Sequence, residues 1–186
     1  MDPEDPEPGF LIPNTTRGHE AGAYLSFITE HYDDLADYTF FVHASEVQWH
    51  NDASAQTQTS IKSFRFEAVD AMGYANLRCI QQPGCPDSLN PIDPKPVDAE
   101  YAYVREAFLP HLYAELLHVP LAEVPTQIGH MCCGQFVVSR ERIRQRPKRH
   151  YEQILHWVTY TTFTDNYGIG WSIEKLWHIL FGMEAV

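Results

Sequence analysis

The feature that most constrains this chain is an abrupt change of period. In GHEAGAYLSFITEHYDDL, Leu25, Ile28, Tyr32 and Leu35 recur at helical spacing, and the next apolar run, Thr39-Phe40-Phe41-Val42, is short, β-branched and aromatic. The first pattern draws one apolar stripe on a helix; the second suits a buried strand. A helix feeding such a strand through a brief polar turn, Asp33-Asp34 to Asp37, calls for an α/β arrangement, because each element must cover the other's apolar face. Glu20 falls in the helix's first turn, where the backbone dipole favours a negative charge.

The alternation continues downstream. A weaker helical pattern, Ile61, Phe64 and Ala68, leads to Gly73 and a second short strand from Tyr74 to Cys79. Residues 80–97 hold five prolines and no periodicity, the signature of a long loop. Residues 98–118 carry Phe108, Leu112 and Leu116 and predict a helix broken at Pro110, whose ring and missing N–H disfavour an interior position. CCGQFVVS is a third strand. Pro147 suits the first turn of a helix with Tyr151, Ile154, Leu155 and Val158 as its stripe. TTFTDNYGIG reads as a turn, and WSIEKLWHILFG as a last helix closed by Gly182. The expectation is one α/β domain over 14–186, a small mixed or parallel sheet flanked by helices. An acidic, proline-rich tail occupies 1–13, where Asp2, Glu4, Asp5 and Glu7 alternate with Pro3, Pro6 and Pro8.

A chain of 186 residues can bury a core without staples. Neither a signal peptide nor an apolar run of about 20 residues is visible, so a cytoplasmic protein with no membrane partner is expected. The net charge of −12 excludes a general nucleic-acid binder, which needs a basic face. Arg140, Arg142, Arg144, Arg146, Lys148 and Arg149 run against that balance; a solvated face and an anion patch both fit them. The four cysteines lack zinc spacing. Cys132 and Cys133 read as small buried residues, and Cys79 and Cys85 bracket a turn that an oxidised pair could close.

Two constellations carry chemistry. FVHASEVQWHND places His43, His50 and Asp52 just after a strand, where ligands of open α/β sheets bind. Glu174 and His178, four apart on the last helix, share a face on which the carboxylate can orient the imidazole. Were the two to meet, three histidines and two carboxylates would serve proton transfer or a divalent metal; the spacing commits to no cofactor. Trp49, Tyr74 and Trp177 are the aromatic candidates for a pocket wall, and Arg78 and Gln135 could polarise a carbonyl or phenolate. The remaining histidines read as structural. No G-x-G-x-x-G, P-loop, G-x-S-x-G or H-E-x-x-H occurs.

The stretches RGHEAGAYLSFITEHYDDLADYTFFVHA, QWHND, GYANLRC, CCGQFVVSRERIRQRPKRHYE and EKLWHILFG together resemble the fungal domain-of-unknown-function family 3431, over about residues 14–182. That resemblance implies a helix and strand order like part of a GT-A glycosyltransferase. Two departures stand out. Family members commonly carry an α/β segment before the RGHEA-like motif, where this chain has only the tail. The strand ends in His43-Ala44-Ser45 where a GT-A enzyme has Asp-x-Asp. Ala36 replaces a usual proline, a local turn effect. A divalent-metal-dependent, glycosyltransferase-like transferase therefore ranks second, beside a non-catalytic binding protein that retains the fold.

The leading expectation is a cofactor-independent enzyme of fungal specialised metabolism, a cyclase, isomerase or lyase that acts on a small organic substrate. His43 and His50 would move protons, Asp52 would orient one of them, and Glu174/His178 would supply the opposing pair. The apolar helices are numerous for so short a chain, which suits a homodimer.

Overall fold

In the computed structural model, residues 8–52, 55–81 and 100–185 are described, without the side chains of 100–107. Their order is α1 (Glu20–Glu30), β1 (Tyr38–Phe41), α2 (Thr57–Lys62), α3 (Phe66–Met72), β2 (Tyr74–Asn76), α4 (Glu100–Leu117), a 3-10 turn (Leu121–Glu123), β3 (Phe136–Ser139), α5 (Arg140–Arg144), α6 (Lys148–Tyr160), α7 (Asn166–Glu174) and α8 (Trp177–Leu180).

The change of period after α1 does produce an α/β fold. Its sheet, however, is neither parallel nor mixed. β3 lies between β1 and β2 and is antiparallel to both, with Phe41 opposite Phe136 and Asn76 opposite Phe136. Strands of three or four residues pair here through short antiparallel ladders.

Alternation along β3 separates two apolar faces. Phe136 and Val138 join Phe41, Tyr74 and the α1, α6, α7 and α8 side chains in the main core, while Val137 joins Ala75, Phe40 and Val69 of α3 on the other face. A thin sheet is thus covered on both sides, which is why all four residues of β3 are buried. α1 packs on α6 and α7. Gly170 permits the α7 contact, since a Cβ there would stand 3.0 Å from the Gly18 carbonyl oxygen.

Three helix expectations change. α4 runs through Pro110 without a break. Only one ladder hydrogen bond is lost there, and Leu109, Leu112 and Leu116 are buried against the core on either side. TTFTDNYGIG is not only a turn: Asp165 caps α7 by accepting from the Gly168 N–H at 2.7 Å, so the helix begins at Asn166. The last apolar stretch then divides, α7 ending at Glu174 and α8 starting at Trp177.

The arginine-rich stretch proves to be a brace. Arg142 donates to the Met72 carbonyl at the end of α3, Arg144 to the Tyr32 and Asp33 carbonyls beyond α1, and Arg140 pairs with Asp37 at 2.7 Å. Cations there satisfy carbonyls that helix ends leave without partners. No helix among the described residues is long and apolar enough to cross a membrane. Residues 1–7 of the expected tail, most of the proline-rich loop and Cys85 lie outside the described residues.

Candidate functional site

Because the sheet is antiparallel, β1 leaves, β2 leaves and β3 enters at the same end. The segments 42–52, 77–81 and 129–135 therefore meet there, and the C-terminal turns of α7 close the space from the side. The loop after β1 that carries His43 and His50 thus borders a shared end of the sheet, for a reason other than the crossover geometry of parallel sheets.

The result is a cleft of about 630 Å³ lined by His43, His50, Glu20, Glu174, Lys175 and the Cys132–Cys133 pair, with Trp49, Tyr167 and Trp171 as aromatic walls. Its loop is held from within. The His43 N–H donates to Gln135 Oε1 at 3.1 Å, Gln135 Nε2 donates to Asn51 Oδ1 at 2.9 Å, and Asn51 Nδ2 donates to Thr57 Oγ1 at 3.1 Å. Gln135 and Asn51 are both buried, so this chain of amides fixes His43, Asn51 and Thr57 on the sheet.

On that support the His43 and His50 rings meet edge to face, centroids 5.1 Å apart at 89°, and Trp49 packs on His50 at 5.2 Å. Glu20 Oε1 lies 3.9 Å from His43 Nε2. Gly134, at φ +59°, marks where these groups converge: a Cβ there would lie 3.3 Å from Glu20 Oε1, 3.8 Å from Glu174 Cγ and 3.8 Å from His43 Nε2. Both the backbone angle and the space therefore favour glycine. The Nε2 atoms of His43 and His50 are buried without hydrogen-bond partners. Burial lowers the His50 pKa, and the neighbouring His43 and Arg78 charges lower it further.

The other sequence candidates fall into place around this centre. Asp52 does not orient a histidine: Oδ2 accepts from the Cys79 and Ile80 N–H groups and Oδ1 stands 3.4 Å from Arg78 Nε, so it latches the loop to the segment after β2. Gln135 is the brace described above. Tyr74, Arg78 and His178 line a second cavity of about 500 Å³, into which Glu174 also projects. Trp177 is no pocket wall; at 2% exposure it is packed among Tyr24, Phe136 and Phe181 in the core.

Glu174 and His178 do not pair, since the helix breaks between them. Glu174 Oε1 instead bonds Lys175 Nζ at 2.6 Å, and His178 bonds the Ala185 backbone, its pKa lowered by burial. His130 lies in the same second cavity, its pKa pushed down to about 3 by burial and by the Lys175 charge. Among the described residues, no three His, Cys, Asp or Glu side chains are grouped so as to hold a metal ion.

Sequence reasoning missed Glu20, Lys175 and the role of Cys132 and Cys133. Glu20 carries a helix N-terminal signal that fully explains it locally, and only the fold brings it to His43. Cys132 and Cys133 are buried, as expected, with their sulfurs side by side, and form part of the cleft wall, with Arg78 Nη1 3.7 Å from Cys133 Sγ. Cys79 is an exposed free thiol.

Fold and site together define a small α/β protein with a histidine–carboxylate cleft at one end of an antiparallel sheet. It belongs to the family described as protein of unknown function (DUF3431), whose model matches residues 2–186. No curated protein and no solved structure matches the chain.

Proposed function

We propose that the cleft is the active site of a cofactor-independent acid–base enzyme, a cyclase, isomerase or lyase acting on a small organic substrate. The observation that carries this reading is the convergence of His43, His50, Glu20 and Glu174 around Gly134, in a cleft large enough for such a molecule. His50, whose pKa is lowered by burial, is the proposed proton acceptor; Glu20 stands beside the His43 ring. The aromatic walls suit a flat or apolar substrate and help hold it in a reactive shape, which alone can lower a barrier by several kcal/mol.

A setting in fungal specialised metabolism is part of the same proposal and rests on the family resemblance. The test is a mass-spectrometric comparison of metabolites from a producing organism carrying the intact protein or a His43→Ala/His50→Ala variant of verified fold. Accumulation of an isomer or precursor of the normal product supports the reading. An unchanged profile overturns it and makes the cleft a binding site; a precursor lighter by one sugar would point to a transferase.

A further inference from the structure

Among the described residues Lys175 is the one amine on the wall of the cleft, and the structure gives it unusual company. It is 8% exposed, where lysines are seldom found unless paired or used. Its backbone caps α7, the Lys175 N–H donating to the Ile173 carbonyl, so the side chain leaves from a fixed point. Nζ lies 2.6 Å from Glu174 Oε1 and 5.2 Å from the Trp171 ring centroid. The Glu174 side chain also borders the meeting point beside Gly134, where its Cγ and His43 Nε2 each lie 3.8 Å from the position a Cβ would take. An amine, a carboxylate in contact with it and two histidines across the cleft are the parts needed to activate a carbonyl compound covalently.

We propose that Lys175 is a catalytic nucleophile that forms an imine with an aldehyde or ketone substrate. This deepens the acid–base reading above and rests on it, adding the substrate class. Glu174 takes a proton from the Lys175 ammonium, and the freed nitrogen lone pair attacks the carbonyl carbon while the C=O π bond opens to a carbinolamine. Proton transfers through Glu174 move a second nitrogen proton onto the hydroxyl oxygen, which leaves as water as the C=N bond forms; a proton returned to nitrogen gives the iminium. That cation withdraws electrons from the adjacent carbon, so His43 or His50 can remove a proton there, and the electron pair moves into an enamine. Reprotonation of the same carbon on its other face, or at the far carbon when the substrate carries a conjugated double bond, followed by hydrolysis gives an isomer and restores the amine. No oxidant, reductant or metal enters the balance.

The full-length protein should be treated with benzaldehyde and sodium cyanoborohydride, the adducts mapped by peptide mass spectrometry, and labelling rates compared with those of Lys62 and Lys148. Lys62 is exposed and Lys175 is buried, so accessibility alone ranks Lys62 first. The expected result is the reverse, Lys175 gaining a benzyl group about 10-fold faster or more, a modest share of what a positioned acid–base partner supplies. Glu174→Gln should remove that advantage without changing the rate at Lys62, and His43→Ala/His50→Ala should leave trapping intact while cutting turnover by about 10²–10⁴-fold. Labelling of Lys62 as fast as or faster than Lys175 would overturn the proposal and leave Lys175 as the counter-ion of Glu174. Should that occur while the histidine variant still alters the metabolite profile, the imine falls and the acid–base function stands; failure of both removes both.

Discussion

The two ends of β3 treat polar groups in opposite ways. At its C-terminal end, Ser139 caps α5, and Arg140, Arg142 and Arg144 spend their donors on carbonyls and carboxylates of neighbouring elements. At its N-terminal end, Gly134 takes the left-handed backbone that suits glycine, and the buried Nε2 atoms of His43 and His50 have no hydrogen-bond partner among the described residues. A buried polar atom without a partner costs about 1–3 kcal/mol, so the second end carries a cost in stability that the proposed acid–base site would account for. The contrast separates a region that builds the fold from the one proposed to carry the chemistry.

The sharpest way to break the comparison is to truncate the unsatisfied end. His43→Ala/His50→Ala should cut turnover by about 10²–10⁴-fold, the usual contribution of positioned acid–base groups, while leaving the melting temperature within a few degrees; metabolite profiling and a thermal melt check the two halves. Phe136→Ala, between the ends, should do the converse to stability, costing about 3–5 kcal/mol in denaturant titration, because its ring meets Phe41, Tyr74, Trp177 and Phe181.

Acid sharpens the comparison further. Burial lowers His150 to about 4 and His130 to about 3 from an ordinary 6.5. Between those values and 6.5 the unfolded chain binds more protons than the folded one, so stability is full above pH 6.5 and falls as the pH drops through that window. The slope is at most about 1.4 kcal/mol per pH unit for each histidine. A His150→Gln variant should show a shallower slope in melts from pH 7 to 4.

Gly134→Ala should cost about 1–2 kcal/mol through the left-handed backbone alone, and should harm activity more than that, since its methyl would press on Glu20. Arg142→Ala should have the smallest effect, about 1 kcal/mol or less in a melt, with activity unchanged, because its partners are exposed and distant from the cleft.

Much of this fold could be read from residue pattern. The stripe on α1, the apolar TFFV and FVVS runs and the stripe on α6 each announce a local period, and periods survive folding. Strand direction could not be read, because TFFV and FVVS bury the same faces whether they run parallel or antiparallel. The division of α7 from α8 was hidden for a related reason: Ile173, Leu176, Trp177 and Leu180 keep helical spacing through the break, so periodicity continues where hydrogen bonding does not.

The site was half legible. His43, His50 and Trp49 lie on one loop whose position after a strand is a local fact. Glu20 and Lys175 join them only through packing of α1 and α7 across the sheet end, and no spacing records that. Asp52 and Trp177 show the opposite error, in which residue type and neighbourhood suggest chemistry while backbone N–H groups and core rings already claim the side chain.

The most direct test sets one residue from each end side by side, profiling metabolites from organisms that carry His50→Ala or Arg142→Ala, each shown to be folded and present at equal level. The account predicts accumulation of a precursor or isomer with His50→Ala and a normal profile with Arg142→Ala. A normal profile with His50→Ala, or the same change in both, would contradict it.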